Sequence, residues 1–387
     1  MSASSPPPSS PSMSSGRTAA KAEEIRRVLS EPTVDLWKLR ELALTDGGLV
    51  NDSLRKLAWP KLVGVHNDVN SAAASSSSSL VSMGQTALSS DAKDGDAPSS
   101  VPPSLDREQI ERDVSRVTWH LLTGNQRSRN FQMENKHRKR VAQLLRRKQR
   151  RLGDFLNLTL VWSYAEEEGK EGRGGVAGEG CDGGDNDAMG RSIKTEDCSF
   201  ITTTDAGEEG GEETRLRYYQ GYHDVASIVL SALGGACAPL PLTHSTAEAA
   251  GDKSPAIDEI ASSTGLALAC RVLLRLSHSH LRDALQSDFL RLQSALRLVV
   301  MPLLGAFDAE LHSHLRDCDM EPFFCLSWII TWFAHDIRDT ALVKRLYDFF
   351  IVSHPTMAVY ASVAMMTHPL NRIEVLGADC DFACVHH

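Results

Sequence analysis

The sequence predicts an all-α fold: a multi-helix, layered domain. Apolar residues recur at helical spacing in segment after segment, no stretch alternates with period two for long, and helix start and stop signals bracket the apolar runs. In chain order, Leu36, Leu39, Leu42 and Ala43 share a face and end at the Gly47-Gly48 stop. Asp52 is placed to cap a helix containing Leu54, Leu57 and Ala58, closed near Pro60. Asp106, with Gln109 three residues on, has the form of a capping box after Pro102-Pro103 and opens a helix through Leu121. Tyr222, Val225, Val229 and Ala232 mark a helix entered from the polar-aromatic run RYYQGYHD, 217–224. Phe289, Leu292, Leu296, Val299, Val300 and Leu303 form a clean stripe. Phe324, Trp328 and Trp332 form another, and Leu342, Leu346, Tyr347 and Phe350 a third. Helices of this kind bury their stripes by packing on one another in layers.

The chain has 387 residues, 42% hydrophobic and 24% charged, which excludes collagen-like, fully disordered and disulfide-scaffold classes. Length alone favours about two domains. Four segments, however, are too poor in large apolar residues to offset the entropy of ordering. They are the Ser/Pro-rich tail 1–20 and the stretches 70–104, 165–213 and 236–263. The expectation is therefore one domain, 21–387, interrupted by three long disordered insertions. The acidic stretch 165–214 carries more negative charge than the chain's formal net of -9, which leaves the rest near neutral and slightly positive. No global field for nucleic acid or an anionic membrane follows. Deleting 70–100 and 168–210 is expected to leave helical content and the thermal midpoint unchanged by circular dichroism. Unfolding by either deletion would return that segment to the core.

The eight cysteines are scattered, mostly in apolar stretches such as FFCLSW around Cys325, and read as reduced thiols of a cytosolic protein. The N-terminus has no apolar signal region. The richest apolar stretch, 323–334, is shorter than the ~18–20 residues a membrane span needs. No transmembrane segment is expected.

Common catalytic signatures are absent: no GxxxxGK[ST], so no nucleotide site of its own, and no HExxH or GxSxG. Asp185, Asp187, Gly190 and Glu196 sit at calcium-loop spacing, but Met189 occupies a position that needs an oxygen ligand. Cys380, Cys384, His386 and His387 are metal-ligand types at a spacing that tetrahedral zinc sites do not use. No metal is assigned to either. The basic run 136–151 keeps Val141, Leu144, Leu145 and Leu152 at apolar spacing and has no aromatic for base stacking. It reads as a solvated helix face, with no nucleic-acid partner.

Two short stretches remain. IERDVSR holds Ile110, Asp113 and Arg116, with the carboxylate and guanidinium i,i+3 neighbours on a helix. RYYQGYHD holds Tyr218 and Gln220, whose amide is able to hold a water. Each alone is weak. Together, IxxDxxR followed by YxQ resembles the motif pair of the TBC-domain Rab GTPase-activating proteins. A third family motif, RxxxW, stands upstream as Arg55 and Trp59. The likeness extends through HSHLRD, LSWIITWFAHDIRD, RLYDFF and HPTM, and covers roughly 25–66, 105–164, 214–235 and 264–387.

The resemblance implies a GTPase activator for a Rab-family small GTPase in its GTP state, not an enzyme with a nucleotide site of its own. Arg116 then matches the arginine finger and Gln220 the glutamine finger that positions the attacking water. Asp113 and Tyr218 support them, and Arg55 and Trp59 are scaffold residues. No cofactor belongs to this chain, because GTP and magnesium are carried by the partner. The likeness also implies ER-to-Golgi vesicle traffic and a place in the cytoplasm at the cytosolic face of the ER and Golgi. Peripheral membrane association fits, and the membrane anchor that relatives carry is not in this chain. The alternative is a TBC-fold scaffold that binds a Rab without stimulating hydrolysis. Both fingers are present, which favours the activator.

Overall fold

The computed structural model describes residues 11–65, 104–117, 135–171, 215–234, 255–286 and 288–378. Among them the regular structure is helical throughout, as the periodicity predicts. The N-terminal layer consists of α1 (Pro11–Ser30), α2 (Leu36–Leu44) and α3 (Asp52–Leu62). The middle holds α4 (Arg107–Arg116), α5 (Asn135–Glu171), α6 (Tyr222–Leu233) and α7 (Pro255–Ser279). The C-terminal layer is α8 (Leu290–Phe307), α9 (Ala309–Asp317), α10 (Leu326–Thr331), α11 (Thr340–Val352), α12 (Met357–Thr367) and α13 (Pro369–Gly377). Short 3-10 turns, Arg282–Leu285 and Pro322–Cys325, lead into α8 and α10.

Helix α6 is the hub. It touches α3, α4, α5, α7, α10 and α11. Every residue but Ser231 is buried, which is why its sequence is apolar nearly all round rather than on one stripe. Its entry, Gly221 at φ 112°, therefore lies where the layers meet.

The helix boundaries depart from the sequence reading in particular places. Helix α1 begins at Pro11, within the segment assigned to the tail, α5 runs to Glu171 and α7 begins at Pro255, both inside assigned insertions. The rest of 70–104, 165–213 and 236–263, Ser104 and the helical ends apart, lies outside the described residues. Asn51, not Asp52, caps α3, accepting from the Leu54 amide, and Asp52 instead pairs with Arg55 at 3.0 Å and Lys344 at 2.6 Å. Helix α3 passes Pro60 and closes at Leu62, where Gly64 takes the left-handed turn at φ 73°. Helix α4 ends at Arg116, short of Leu121.

Within the stripes, Leu296 and Val300 are buried while Val299 and Leu342 face solvent. The Phe324, Trp328, Trp332 stripe is not one helix. Trp332 and Phe333 both turn left-handed, at φ 51° and 64°, which ends α10 at Thr331. That backbone costs about 1–3 kcal/mol per residue. It is offset by ring packing: Trp332 lies 5.1 Å from Tyr347 and 5.3 Å from Phe350, and Phe333 stacks on Trp328 at 5.8 Å.

Cysteine and membrane expectations need one correction each. Cys270 and Cys325 are free, but Cys318 is disulfide-bonded, against the reading of all eight as reduced thiols. Helix α8 is long and apolar enough to cross a membrane by length and composition alone, which the reading centred on 323–334 passed over. It carries Arg291 and Arg297, and packs on α9 and α12 through Leu296, Val300 and Leu304.

Candidate functional site

Helix α4 buries Ile110, Asp113 and Val114, an i, i+3, i+4 face, against α5 and α6. That rotation leaves Arg116 exposed as the last residue of the helix. Its guanidinium lies 4.0 Å from the Asp113 carboxylate, a loose contact with the arginine side chain 74% open to solvent. The terminal carbonyls of α4 have no partner within their own helix. Gln149 on α5 supplies one, its amide donating to Ser115 at 2.8 Å and to Val117 at 3.1 Å, on either side of Arg116. The basic run thus grips the end of α4. Residues 142–151, the part whose side chains are described, also hold the exposed Arg146 and Arg147.

Two carboxylates on α4 and its entry fasten the distant segment 215–221 to this helix. Asp106 makes no capping bond to its own helix. It instead accepts two hydrogen bonds from the Arg217 guanidinium, at 2.9 and 3.2 Å, and one from the Tyr218 amide at 2.8 Å. The capping-box reading of Asp106 is overturned by this stronger, bidentate partner. Two turns further on, the Tyr218 hydroxyl donates to Asp113 at 3.1 Å. Burial, reinforced by the Asp113 charge, pushes the Tyr218 phenol well above its ordinary pKa, which keeps the proton on the donor.

Gln220 follows two residues later, exposed, in the turn before α6. Its neighbours are fixed from beneath. The buried Tyr219 donates to the Ile330 carbonyl at 2.6 Å. A side chain at Gly221 would meet Thr331 Cγ2 at 2.9 Å, and φ there is 112°, a left-handed value L residues rarely adopt. Gly221→Ala is therefore expected to lower the thermal midpoint and to displace Gln220. An unchanged melt by differential scanning calorimetry would contradict that packing.

Arg55 and Trp59 lie in the core, away from this surface. Both reach the fully buried Asp348 on α11: Arg55 Nε at 3.0 Å, Nη2 at 2.9 Å, and Trp59 Nε1 at 2.9 Å. The Leu49 amide adds a fourth donor at 3.0 Å. Burial opposes the Arg55 charge, but the hydrogen bonds and negative charges of Asp348 and Asp52 together outweigh it, so its pKa is raised. A β-carbon on Gly48, at φ 54°, would sit 2.6 Å from the Asp348 carboxylate, so the turn after α2 requires glycine. Tyr347, next to Asp348, stacks on Trp59 at 6.2 Å and donates to the Thr331 carbonyl at 3.1 Å. Thr331 is the residue against which Gly221 closes, so the core cluster supports the Gln220 turn from behind.

Sequence reasoning missed Asp348, Gln149, His223 and His335. Asp348 had a signal: a carboxylate among the apolar positions of α11, matched by an arginine on the buried face of α3. Among the described residues no group of three or more His, Cys, Asp or Glu is disposed to hold a metal. The calcium-like loop at 185–196 and the cluster Cys380, Cys384, His386 and His387 lie outside the described residues.

The family model described as the Rab-GTPase-TBC domain matches residues 212–373, from the Gln220 segment into α13. Over those residues the chain is similar to the Rab-GTPase-TBC domain. The TBC fold is shared with the solved Ypt/Rab-GAP domain of Gyp1p, at a TM-score of 0.51 and 15% identity, over 90% of this chain and 85% of that one. In sequence, the chain is 26% identical to TBC1 domain family member 20 of Mus musculus over 370 residues, 95% of this chain and 61% of that protein. Its human counterpart is 25% identical over 367 residues. The GTPase-activating protein gyp10 of Schizosaccharomyces pombe is 34% identical over 145 residues, 38% of this chain and 30% of that protein. The chain thus spans about 61% of the length of the mammalian relatives.

Proposed function

We propose that this TBC domain is a GTPase-activating protein for a Rab-family small GTPase in its GTP state. It supplies Arg116 and Gln220 in trans and has no nucleotide site of its own. GTP hydrolysis builds negative charge on the transferring phosphoryl group and the leaving oxygen, and a guanidinium delivered there neutralises it. The Gln220 amide holds the attacking water by donating and accepting at once. Asp113 and Tyr218 orient the two fingers, Arg55 and Trp59 hold the scaffold, and GTP and magnesium come with the partner. The likeness to TBC1 domain family member 20 supports a role in ER-to-Golgi traffic at the cytosolic face of those membranes.

The observation that carries this reading is the Tyr218–Asp113 hydrogen bond of 3.1 Å. It joins segments about a hundred residues apart, with exposed Arg116 three residues from one end and exposed Gln220 two residues from the other. A binding surface alone needs no such registration of two solvent-facing polar side chains. The test is a screen of purified GTP-loaded Rabs for accelerated phosphate release in the presence of this chain. Acceleration of one or a few Rabs is expected. Tight binding of a Rab with no acceleration of any would favour the scaffold alternative.

A further inference from the structure

The Tyr218 hydroxyl has two partners and one proton. It lies 3.1 Å from Asp113 Oδ2 and 2.7 Å from His223 Nδ1. Two wirings are chemically possible. In the first, His223 carries its proton on Nδ1 and donates to the Tyr218 oxygen, and Tyr218 donates to Asp113. In the second, His223 carries its proton on Nε2, accepts from Tyr218, and leaves Asp113 without that donor. The second wiring finds no acceptor for Nε2–H among the described residues. The nearest carboxylate oxygen, Asp224 Oδ1, is 3.7 Å away, too long for a hydrogen bond. The other oxygen of Asp224 already accepts from His335 Nδ1 at 2.8 Å. An ionised Asp113 has no proton to give.

We propose that His223, as the Nδ1–H tautomer, is a positioning residue for the arginine finger: it directs the Tyr218 proton onto Asp113, the carboxylate beside Arg116. This rests on the activator reading above and deepens it. His223 is buried at the start of α6 and touches neither finger, so it acts only through Tyr218. Burial lowers its pKa, which holds the ring neutral at physiological pH and makes the choice of tautomer meaningful. The same hydroxyl lies two residues before Gln220, so one imidazole sets the register of both motifs.

The test has two arms. Nitrogen-15 NMR of the histidine-labelled wild-type chain reads the tautomer directly. His223 is expected to show a protonated Nδ1 and an unprotonated Nε2, and the opposite pattern would overturn the proposal. In single-turnover hydrolysis by the responsive GTP-loaded Rab, His223→Phe is expected to slow the saturated rate by roughly five- to tenfold, the equivalent of one ordinary hydrogen bond. The half-saturating concentration should not change. His223→Asn, whose amide nitrogen falls near the place of Nδ1, is expected to recover most of the rate. Equal losses for Phe and Asn, or none for either, would overturn the proposal. Should His223→Phe not fold, the Asn variant set against His223→Gln, which offers its donor at the Nε2 place instead, decides the same question. An Arg116→Ala control with full stimulation would instead overturn the arginine-finger assignment, and no acceleration of any Rab by the wild-type chain would overturn the activator reading; the tautomer measurement depends on neither.

Discussion

Arg116→Ala is expected to cut stimulated GTP hydrolysis by about two to five decades while leaving the fold intact. The size follows from the charge that builds on the transferring phosphoryl group, which an in-trans arginine neutralises by ~4–7 kcal/mol of barrier in the strongest cases. The absence of a folding effect follows from position. Arg116 ends its helix, is open to solvent, and touches Asp113 only at 4.0 Å. Exposed pairs of this kind contribute at most about 1 kcal/mol to stability. Arg116→Lys is expected to fall near Ala, because an ammonium lacks the planar fork that binds two phosphate oxygens together. Stopped-flow phosphate release with matched melting curves checks both. A well-folded Arg116→Ala protein of near-normal activity would remove the finger assignment.

Asp348→Ala is expected to destabilise the domain by about 3–5 kcal/mol, a large share of the ~5–15 kcal/mol that holds a domain folded. Asp348 is fully buried, and four donors converge on it from Arg55, Trp59 and the Leu49 amide. Removing the carboxylate leaves the Arg55 charge with only the half-exposed Asp52. Replacing Arg55 and Asp348 together by apolar residues of similar volume is expected to cost less than Asp348→Ala alone, since no buried charge is then stranded. Urea denaturation of the single and double variants measures it. A single variant as stable as wild type would mean that the cluster is not a keystone of the core.

The layered all-α architecture was legible because local periodicity suffices for it. Leu296, Val300, Tyr347 and Phe350 fall on buried faces, as their spacing requires. The two stretches proposed to carry the fingers stand out only as a pair and through their likeness to a family. What escaped was set by partners distant in the chain. Asp106 has the local form of a cap, yet Arg217, 111 residues away, binds it instead. Asp348 reads as a lone acid in an apolar helix until Arg55, 293 residues earlier, lies against it. Trp332 fits a helical stripe by spacing, and only the cluster with Tyr347 and Phe350 makes its left-handed turn worthwhile. Gln149 sits in a run whose charge dominates its reading, while its contact is to two backbone carbonyls that no side-chain pattern reports.

The two-finger mechanism is tested most directly with a Rab whose own catalytic glutamine is replaced by alanine. If Gln220 positions the water, stimulation of that Rab by the wild-type chain persists at a largely unchanged single-turnover rate. Gln220→Ala then lowers the rate at saturating activator with partner affinity nearly unchanged, because the amide acts in the transition state rather than in binding. A glutamine-less Rab that does not respond to the wild-type chain, together with a Gln220→Ala chain that stimulates the unaltered Rab at full rate, would contradict the account.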